Sequence, residues 1–141
     1  MGTKTLTCLS CAQLNRVPYD RLSAAPKCGS CGKGLMPTKP VDVTPAVLQK
    51  AIAKDEVPLV VDFWAPWCGP CKAMAPDYAK AAQALRGEVR LVKLNTQDHQ
   101  SAGARYRIRA IPTLVRFLHG KEHKRQSGAL RATALIAWCK G

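Results

Sequence analysis

Residues 59–72 read LVVDFWAPWCGPCK, an apolar run that contains one carboxylate and leads directly into two cysteines. The β-branched and aromatic residues from Leu59 to Trp64 predict a strand that is buried on both faces. Because an ionised Asp62 is costly to bury, it either lies at the solvated rim of the sheet or is kept for chemistry. Burial would raise its pKa toward the range in which a carboxyl exchanges protons near neutral pH.

The two cysteines of this segment, Cys68 and Cys71, stand at the start of a helix predicted from about Cys68 to Leu85. Unpaired N–H groups at a helix start favour the thiolate form of Cys68, and Lys72 adds positive charge nearby. Cys71 follows one turn later and is expected to be the more buried sulfur. The pair therefore predicts thiol–disulfide exchange rather than half of a metal site, which would need a second ligand pair close by.

Helix and strand patterns alternate on both sides of this segment. Thr44 followed by Pro45 predicts a helix start, with a capping hydroxyl and then proline at the first helical position. This alternation, closed by a hairpin, predicts an α/β fold with a mixed central sheet flanked by helices. Further strands are predicted at 89–95, 113–118 and 121–127, and further helices at 98–106 and 130–139.

Two more Cys-x-x-Cys pairs, CLSC at 8–11 and CGSC at 28–31, are separated by sixteen residues. This spacing is typical of structural zinc sites, and glycines in and after the second pair permit close turns. Two disulfides or an iron–sulfur cluster are the alternatives. The predicted zinc ligands are Cys8, Cys11, Cys28 and Cys31.

The organisation along the chain follows from these patterns. Residues 1–32 have too few large apolar side chains for a substantial core and are predicted to be a zinc-binding module. Residues 33–40 are rich in Gly, Pro and Lys and are predicted to be a linker, and residues 41–141 form the α/β domain. No signal peptide is predicted, so a cytosolic, thiol-reducing location is expected.

The chain is basic, with 22 Lys and Arg against 9 Asp and Glu and a formal charge of +13. Such a charge permits nucleic-acid binding, so one alternative function is a basic zinc-ribbon nucleic-acid-binding module with a redox-switch domain. Residues 1–40 have few aromatic side chains for base stacking and no clustered basic helix, which argues against it. Another alternative adds to the predicted thiol–disulfide exchange a zinc site that senses oxidants by releasing its metal.

Five motifs in a fixed order resemble the thioredoxin family, over about residues 41–141. They are VVDFWAP at 60–66, WCGPCK at 67–72, VKLN at 92–95, IRAIPTLV at 108–115 and SGAL at 127–130. The resemblance implies a thioredoxin fold and a protein dithiol–disulfide oxidoreductase. A zinc module ahead of WCGPC also resembles the bacterial thioredoxin 2 group, which extends the resemblance to the whole chain.

The resemblance also implies a role for individual residues. Cys68 would be the attacking thiolate, Cys71 the resolving thiol, Asp62 the buried carboxylate that assists Cys71, and Lys93 the charged neighbour of Asp62. The bond between Ile111 and Pro112 would be cis. The implied substrate-binding residues are Trp67, Gly69, Pro70, Ile111, Pro112 and Gly128.

The implied partners are disulfide-containing client proteins and an NADPH-dependent thioredoxin reductase, with zinc as the cofactor and the chain acting as a monomer, away from membranes. The seventh cysteine, Cys139, lies on the apolar face of the last predicted helix. It is expected to be a buried, inert thiol.

Overall fold

The structure is a computed structural model that describes residues 2–141 of the chain. Its N-terminal part is an antiparallel hairpin of β1 (Thr3–Thr7) and β2 (Leu14–Pro18), followed by a single 3₁₀ turn at Tyr19–Arg21. The remaining elements are β3 (Val41–Asp42), α1 (Pro45–Lys54), β4 (Leu59–Trp64), α2 (Gly69–Ala84), β5 (Arg90–Asn95), α3 (Gln100–Arg105), β6 (Thr113–Leu118), β7 (Lys121–Ser127) and α4 (Ala132–Lys140).

The second sheet has five strands in the order β3-β5-β4-β6-β7. Strands β3, β5 and β4 run parallel, whereas β6 and β7 pair antiparallel, so the sheet is mixed as predicted. The strand β4 lies at its centre, and Leu59 to Phe63 are all buried. The central position of β4 explains the continuous apolar run, because both faces of this strand are covered.

The two faces of the sheet carry separate cores. On one face Val61 and Phe63 of β4 pack with Leu48 of α1 and Ala102 of α3. On the other face Val60 packs with residues of α2 and α4. Successive side chains of a strand point to opposite faces, so Asp62 lies on the same face as Val60, toward α2 and α4.

The helix boundaries follow local signals in the sequence. The hydroxyl oxygen of Thr44 accepts a hydrogen bond from the Val47 amide at 3.3 Å, and Pro45 is the first residue of α1, as predicted. Gly87, just after α2, has a φ of +88°, and an added Cβ would lie 2.8 Å from the Cβ of Ser23. Glycine is therefore required here both by the backbone conformation and by the close approach of the N-terminal part.

The N-terminal part completes its small core with residues from outside 1–32. Leu6, Val17 and Leu22 pack with Leu35 and Met36, and with Val57 of the α/β domain, and all six side chains are buried. The segment 33–40 thus contributes two buried side chains to this core. The division of the chain into a module at 1–32, a linker at 33–40 and a domain at 41–141 stays a prediction.

Within residues 2–141, no helix is long and apolar enough to cross a membrane.

A buried ion pair joins the N-terminal part to the α/β domain. Arg90 of β5 is bound to Asp55, which follows α1, and both side chains are almost inaccessible to solvent. Arg90 also donates hydrogen bonds to the carbonyl oxygens of Thr7 at 2.8 Å and Leu35 at 3.0 Å. The Thr7 amide donates to Asp55 at 2.9 Å, so these charges are satisfied by groups from both parts.

Candidate active site and metal centre

The dithiol lies at the N-terminus of α2, where a strand-to-helix connection brings it to the end of the sheet. Cys68 is the N-cap residue and is joined to Cys71 by a disulfide. The Cys71 amide donates to the Cys68 sulfur at 3.2 Å, and in the reduced protein the same contact would stabilise a Cys68 thiolate. The two residues are 4% and 2% exposed, whereas the neighbouring Trp67 is 69% exposed.

The loop before β6 and the turn after β7 form the wall opposite the dithiol. The carbonyl oxygen of Ile111 lies 3.8 Å from the Cys68 sulfur, and the bond between Ile111 and Pro112 is cis. The Gly128 amide donates to the Pro112 carbonyl oxygen at 2.8 Å, which connects the turn after β7 to the loop before β6. Gly128 has a φ of +94° and open space where a Cβ would be, so its backbone is accessible to a bound chain.

Gly69 and Pro70 form the first turn of α2 between the cysteines and are exposed. The predicted substrate-binding residues of the two loops and of α2 therefore border one surface around the dithiol. Proline is tolerated here because the first N–H groups of a helix have no partner within the helix.

Asp62 is buried on the face of the sheet that α2 covers, with 1% of its surface exposed. Among residues 2–141, its Oδ1 atom has no hydrogen-bond partner. Burial raises the pKa of Asp62 to about 7, although the positive charge of Lys93 opposes this rise, and the negative charge of Asp42 adds to it. A carboxyl with this pKa can release and accept a proton near neutral pH.

A row of charged residues crosses three adjacent strands at this point. Lys93 of β5 pairs in register with Asp62 of β4 on one side and with Asp42 of β3 on the other. Asp42 accepts a hydrogen bond from the Trp64 indole N–H at 2.7 Å, and the Lys93 ammonium lies 4.1 Å from the centre of the Trp64 ring. Lys93 thus stands in register between two carboxylate-bearing residues, and its ammonium contacts the Trp64 ring.

Asp42 was not predicted to belong to the site. Its strand is only two residues long, so the sequence carries no alternating pattern that would reveal it. Only the strand order, which places β3 beside β5, brings this carboxylate to Lys93.

The four N-terminal cysteines form a compact cluster, in which all four sulfur atoms lie within 4.8 Å of one another. Cys8 and Cys31 are 3.5 Å apart, and Cys11 and Cys28 are 3.7 Å apart. Four sulfurs at about 2.3 Å from one zinc ion would be about 3.8 Å apart, so the cluster fits a tetrahedral zinc ion. These separations are too long for disulfide bonds, which are about 2.05 Å.

Hydrogen-bond donors surround the cluster. The amides of Ser10 and Cys11 point at the Cys8 sulfur at 3.4 Å, and the amide of Ser30 points at the Cys28 sulfur at 3.4 Å. The side-chain amide of Asn15 donates to the Cys28 sulfur at 3.5 Å and was not predicted. Such donors stabilise negatively charged sulfur ligands, which supports the fit to a metal ion.

Cys139 lies apart from both cysteine groups, within the core between α4 and the sheet. It is fully buried, and burial raises the pKa of its thiol to about 12. The protonated thiol is therefore the stable form at neutral pH, in agreement with the prediction of an inert residue.

The fold and this site define a class of protein. A Cys-Gly-Pro-Cys pair at a helix start, backed by a buried carboxyl and faced by a cis-proline loop on a mixed sheet, belongs to the dithiol–disulfide oxidoreductases.

The comparisons with known proteins identify the family. The family model described as Thioredoxin matches residues 39–141, and the one described as Thioredoxin 2, N-terminal, matches residues 7–33. The chain therefore belongs to the thioredoxin family and is a protein disulfide oxidoreductase with an N-terminal zinc-ribbon module. Family membership and the dithiol favour this function over the alternative of a nucleic-acid-binding module.

Individual relatives agree with this assignment. The chain is 38% identical to Thioredoxin C-3 of Corynebacterium nephridii over 94% of this chain and 91% of that protein. It is 40% identical to Thioredoxin 1 of Nostoc sp. over 66% of this chain and 87% of that protein. The crystal structure of chloroplastic thioredoxin z superposes with a TM-score of 0.66 and 29% identity, over 72% of this chain and 91% of that one.

Proposed function

We propose that Cys68 is the attacking sulfur and Cys71 the resolving sulfur when the chain reduces a client disulfide. The Cys68 thiolate attacks one client sulfur, forms a mixed disulfide and releases the other client sulfur as a thiolate. The Cys71 thiolate then attacks the Cys68 sulfur, which closes the Cys68–Cys71 disulfide and releases the second client thiolate. The observation that carries this assignment is the N-cap position of Cys68, whose sulfur accepts the Cys71 amide hydrogen bond at 3.2 Å.

Asp62 acts in this proposal as the base that takes the proton of Cys71, directly or through one water molecule. Support comes from its position on the α2 face of the sheet, its unpartnered oxygen and its pKa of about 7. Lys93 is the counter-charge that keeps the Asp62 carboxylate accessible near neutral pH, because the positive charge of Lys93 lowers the pKa of Asp62.

The client chain binds in an extended form across the surface around the dithiol. We assign its main-chain contacts to the loop and turn at Ile111, Pro112 and Gly128, because Ile111 is only partly buried and the Cβ position of Gly128 is open. Trp67 supplies an exposed apolar surface beside the attacking sulfur, since 69% of it is accessible. Gly69 and Pro70 are the remaining proposed substrate-binding residues, and they leave the first turn of α2 free of bulky side chains.

Zinc is the proposed cofactor, held by Cys8, Cys11, Cys28 and Cys31. When bound, it would supply structural cross-linking rather than hydrolytic chemistry, because four protein ligands leave no open position. A reducing compartment keeps these cysteines available as ligands, which is the basis for proposing a cytoplasmic location.

The proposed partners are disulfide-containing client proteins and an NADPH-dependent thioredoxin reductase that regenerates the dithiol. One chain supplies every residue of the site, so the proposal requires only a monomer. The proposed organisation is a zinc-binding module at 1–32, a connecting segment at 33–40 and a thioredoxin domain at 41–141.

The test is to trap the mixed disulfide. Reduced Cys71→Ser protein is expected to form a stable covalent adduct with a protein disulfide, detectable by mass spectrometry and reversed by dithiothreitol. Cys68→Ser is the matched control, and it should neither trap the client nor turn over. Trapping by Cys68→Ser instead would reverse the two roles.

A further inference from the structure

A groove of about 420 Å³ adjoins the dithiol, on the side of the exposed Trp67. Its walls are mostly apolar and include Ile108 and Ile111 from the loop before β6. Among residues 2–141, Arg109 is the one charged residue that lines the groove, and it is exposed to solvent. The groove therefore combines an apolar floor with a single positive charge, close to the attacking sulfur.

The segment that carries Arg109 holds two further arginines. Arg105 and Arg107 are exposed and line a neighbouring cavity of about 410 Å³. The acidic residue of that cavity, Glu122, is bound by Arg125 through two hydrogen bonds of 2.8 Å, so its charge is already compensated. Within residues 2–141, Arg105 at the end of α3 and Arg107 and Arg109 on the loop that leads into Pro112 have no ion-pair partner and leave a net positive charge there.

We propose that this groove selects clients whose reactive cysteine is flanked by Asp or Glu, and that Arg109 is the main specificity-determining residue. The inference rests on the proposed function, since it assigns the substrate class of the same site. A guanidinium forms strong, directional hydrogen bonds with a carboxylate, and the apolar walls accommodate the neighbouring side chains of an extended peptide. A nucleic acid fits less well, because the groove is mainly apolar.

The charge of the whole chain acts in the same direction. With a formal charge of +13, the chain attracts acidic partners before contact, which raises the association rate at low salt. Arg105 and Arg107 precede Arg109 by a few residues in the chain and are exposed, so their charge adds to the positive charge of this segment.

The experiment measures single-turnover reduction of three peptide disulfides by the pre-reduced protein, with no reductase present. The peptides are identical except for two residues next to the cysteine, which are Glu, Gln or Lys. The wild type is expected to react about fivefold faster with the Glu peptide than with the Gln peptide, and slowest with the Lys peptide. High salt should bring the three rates together. Arg109→Glu should reverse the order of the Glu and Lys peptides.

Two controls separate the possible outcomes. Arg86→Glu makes the same charge change at an exposed residue just beyond the C-terminal end of α2 and should keep the wild-type order of peptides. The second control substrate is the disulfide form of 2-mercaptoethanol, which is small and uncharged. Its reduction measures the reductase activity without any contribution from peptide charge. If the wild type reduces it but reacts equally with the Glu and Gln peptides, the acidic preference is refuted and the reductase function stands. If nothing is reduced, both proposals fail.

Discussion

Asp62 shows how burial and neighbouring charge together set the chemistry of one residue. Removal from water disfavours its ionised form, and this is the largest influence on its pKa. The positive charge of Lys93 acts against burial, and Asp42 acts with it, so the resulting pKa of about 7 lies well above the ordinary value of 3.8. A buried carboxyl with a raised pKa lowers the free energy of unfolding, and this destabilisation increases as the pH rises.

Replacement of Asp62 by Asn should therefore stabilise the oxidised protein in a pH-dependent way. Between pH 4 and 7 the folded wild type binds more protons at this carboxyl than the unfolded chain, so its free energy of unfolding falls as pH rises. The variant lacks this titration, and its advantage should grow across this window to about 4 kcal/mol and then stay constant. Denaturant unfolding from pH 4 to 9 measures it, with the exposed Asp98→Asn as control. A pH-independent difference would contradict the prediction.

Replacement of Asp42 by Asn should lower the pKa of Asp62, although Asp62 itself is left unchanged. Asp42 adds negative charge near Asp62 and holds Trp64, whose ring contacts Lys93. Without this carboxylate, Lys93 acts more fully on Asp62, so the pKa of Asp62 should fall below about 7. Carboxyl carbon chemical shifts followed by NMR report the titration, and Asp20→Asn is the control. An unchanged Asp62 pKa would show that Asp42 only positions Trp64.

The helix α2 connects the dithiol at its start to the sheet beneath it. Tyr78, in its middle, is fully buried, and its hydroxyl lies 3.2 Å from the Val60 carbonyl oxygen and 2.8 Å from that of Val92. One phenol therefore fixes the helix against β4 and β5, the strands that carry Asp62 and Lys93. The helix start is thereby held in position relative to the charged row.

Removal of this hydroxyl should loosen the contact between helix and sheet. Tyr78→Phe is expected to lower the free energy of unfolding by about 1 kcal/mol, because the single buried hydrogen bond that the hydroxyl donates, at its shortest to the Val92 carbonyl oxygen, is lost. Chemical denaturation of the oxidised protein measures the change. Tyr19→Phe, at a half-exposed tyrosine, is the matched control and should have almost no effect. Equal effects of the two substitutions would mean that the Tyr78 hydroxyl contributes nothing.

At the scale of the whole molecule, hydrogen bonds connect the N-terminal part to the thioredoxin domain in addition to the covalent chain. Arg90 and Asp55 lie in the domain, but three of their hydrogen bonds are with main-chain groups of Thr7 and Leu35. The Glu56 amide and the Thr5 carbonyl add a further contact at 2.9 Å. The module, through Thr7, and the segment 33–40, through Leu35, therefore cover a buried ion pair that would otherwise meet solvent.

A chain that begins at Lys39 should fold, since the thioredoxin match covers residues 39–141, but it should be less stable than the full chain. Loss of two carbonyl acceptors from Arg90 and one amide donor from Asp55 should cost about 2–4 kcal/mol after partial rehydration. Thermal and denaturant unfolding of both chains measure the difference. Reduction of the neutral small disulfide is the control and should stay within twofold. Equal stability would show that the junction contributes no net energy.

Much of the site was predictable because it is encoded in short stretches of chain. The spacing of Cys68 and Cys71, the two further cysteine pairs and the capping of α1 by Thr44 all depend on residues a few positions apart. The helices and the strands of the α/β domain longer than two residues were also predicted, because their periodicity reflects burial directly. Strands β1, β2 and β3 were not, since short strands with few apolar residues carry little periodic signal.

The sequence by itself determined the fold class, the dithiol and the four-cysteine cluster, because spacing and periodicity are local properties. Only the tertiary structure decided which charged side chains meet which hydrogen-bond partners: Asp42 reaches Trp64 across 22 residues, and Arg90 reaches Thr7 across 83. It also decided that Arg109 lines the groove beside Trp67. Such contacts depend on strand order and on the packing of one part against another, and free energies summed over the whole chain select that arrangement rather than any short segment.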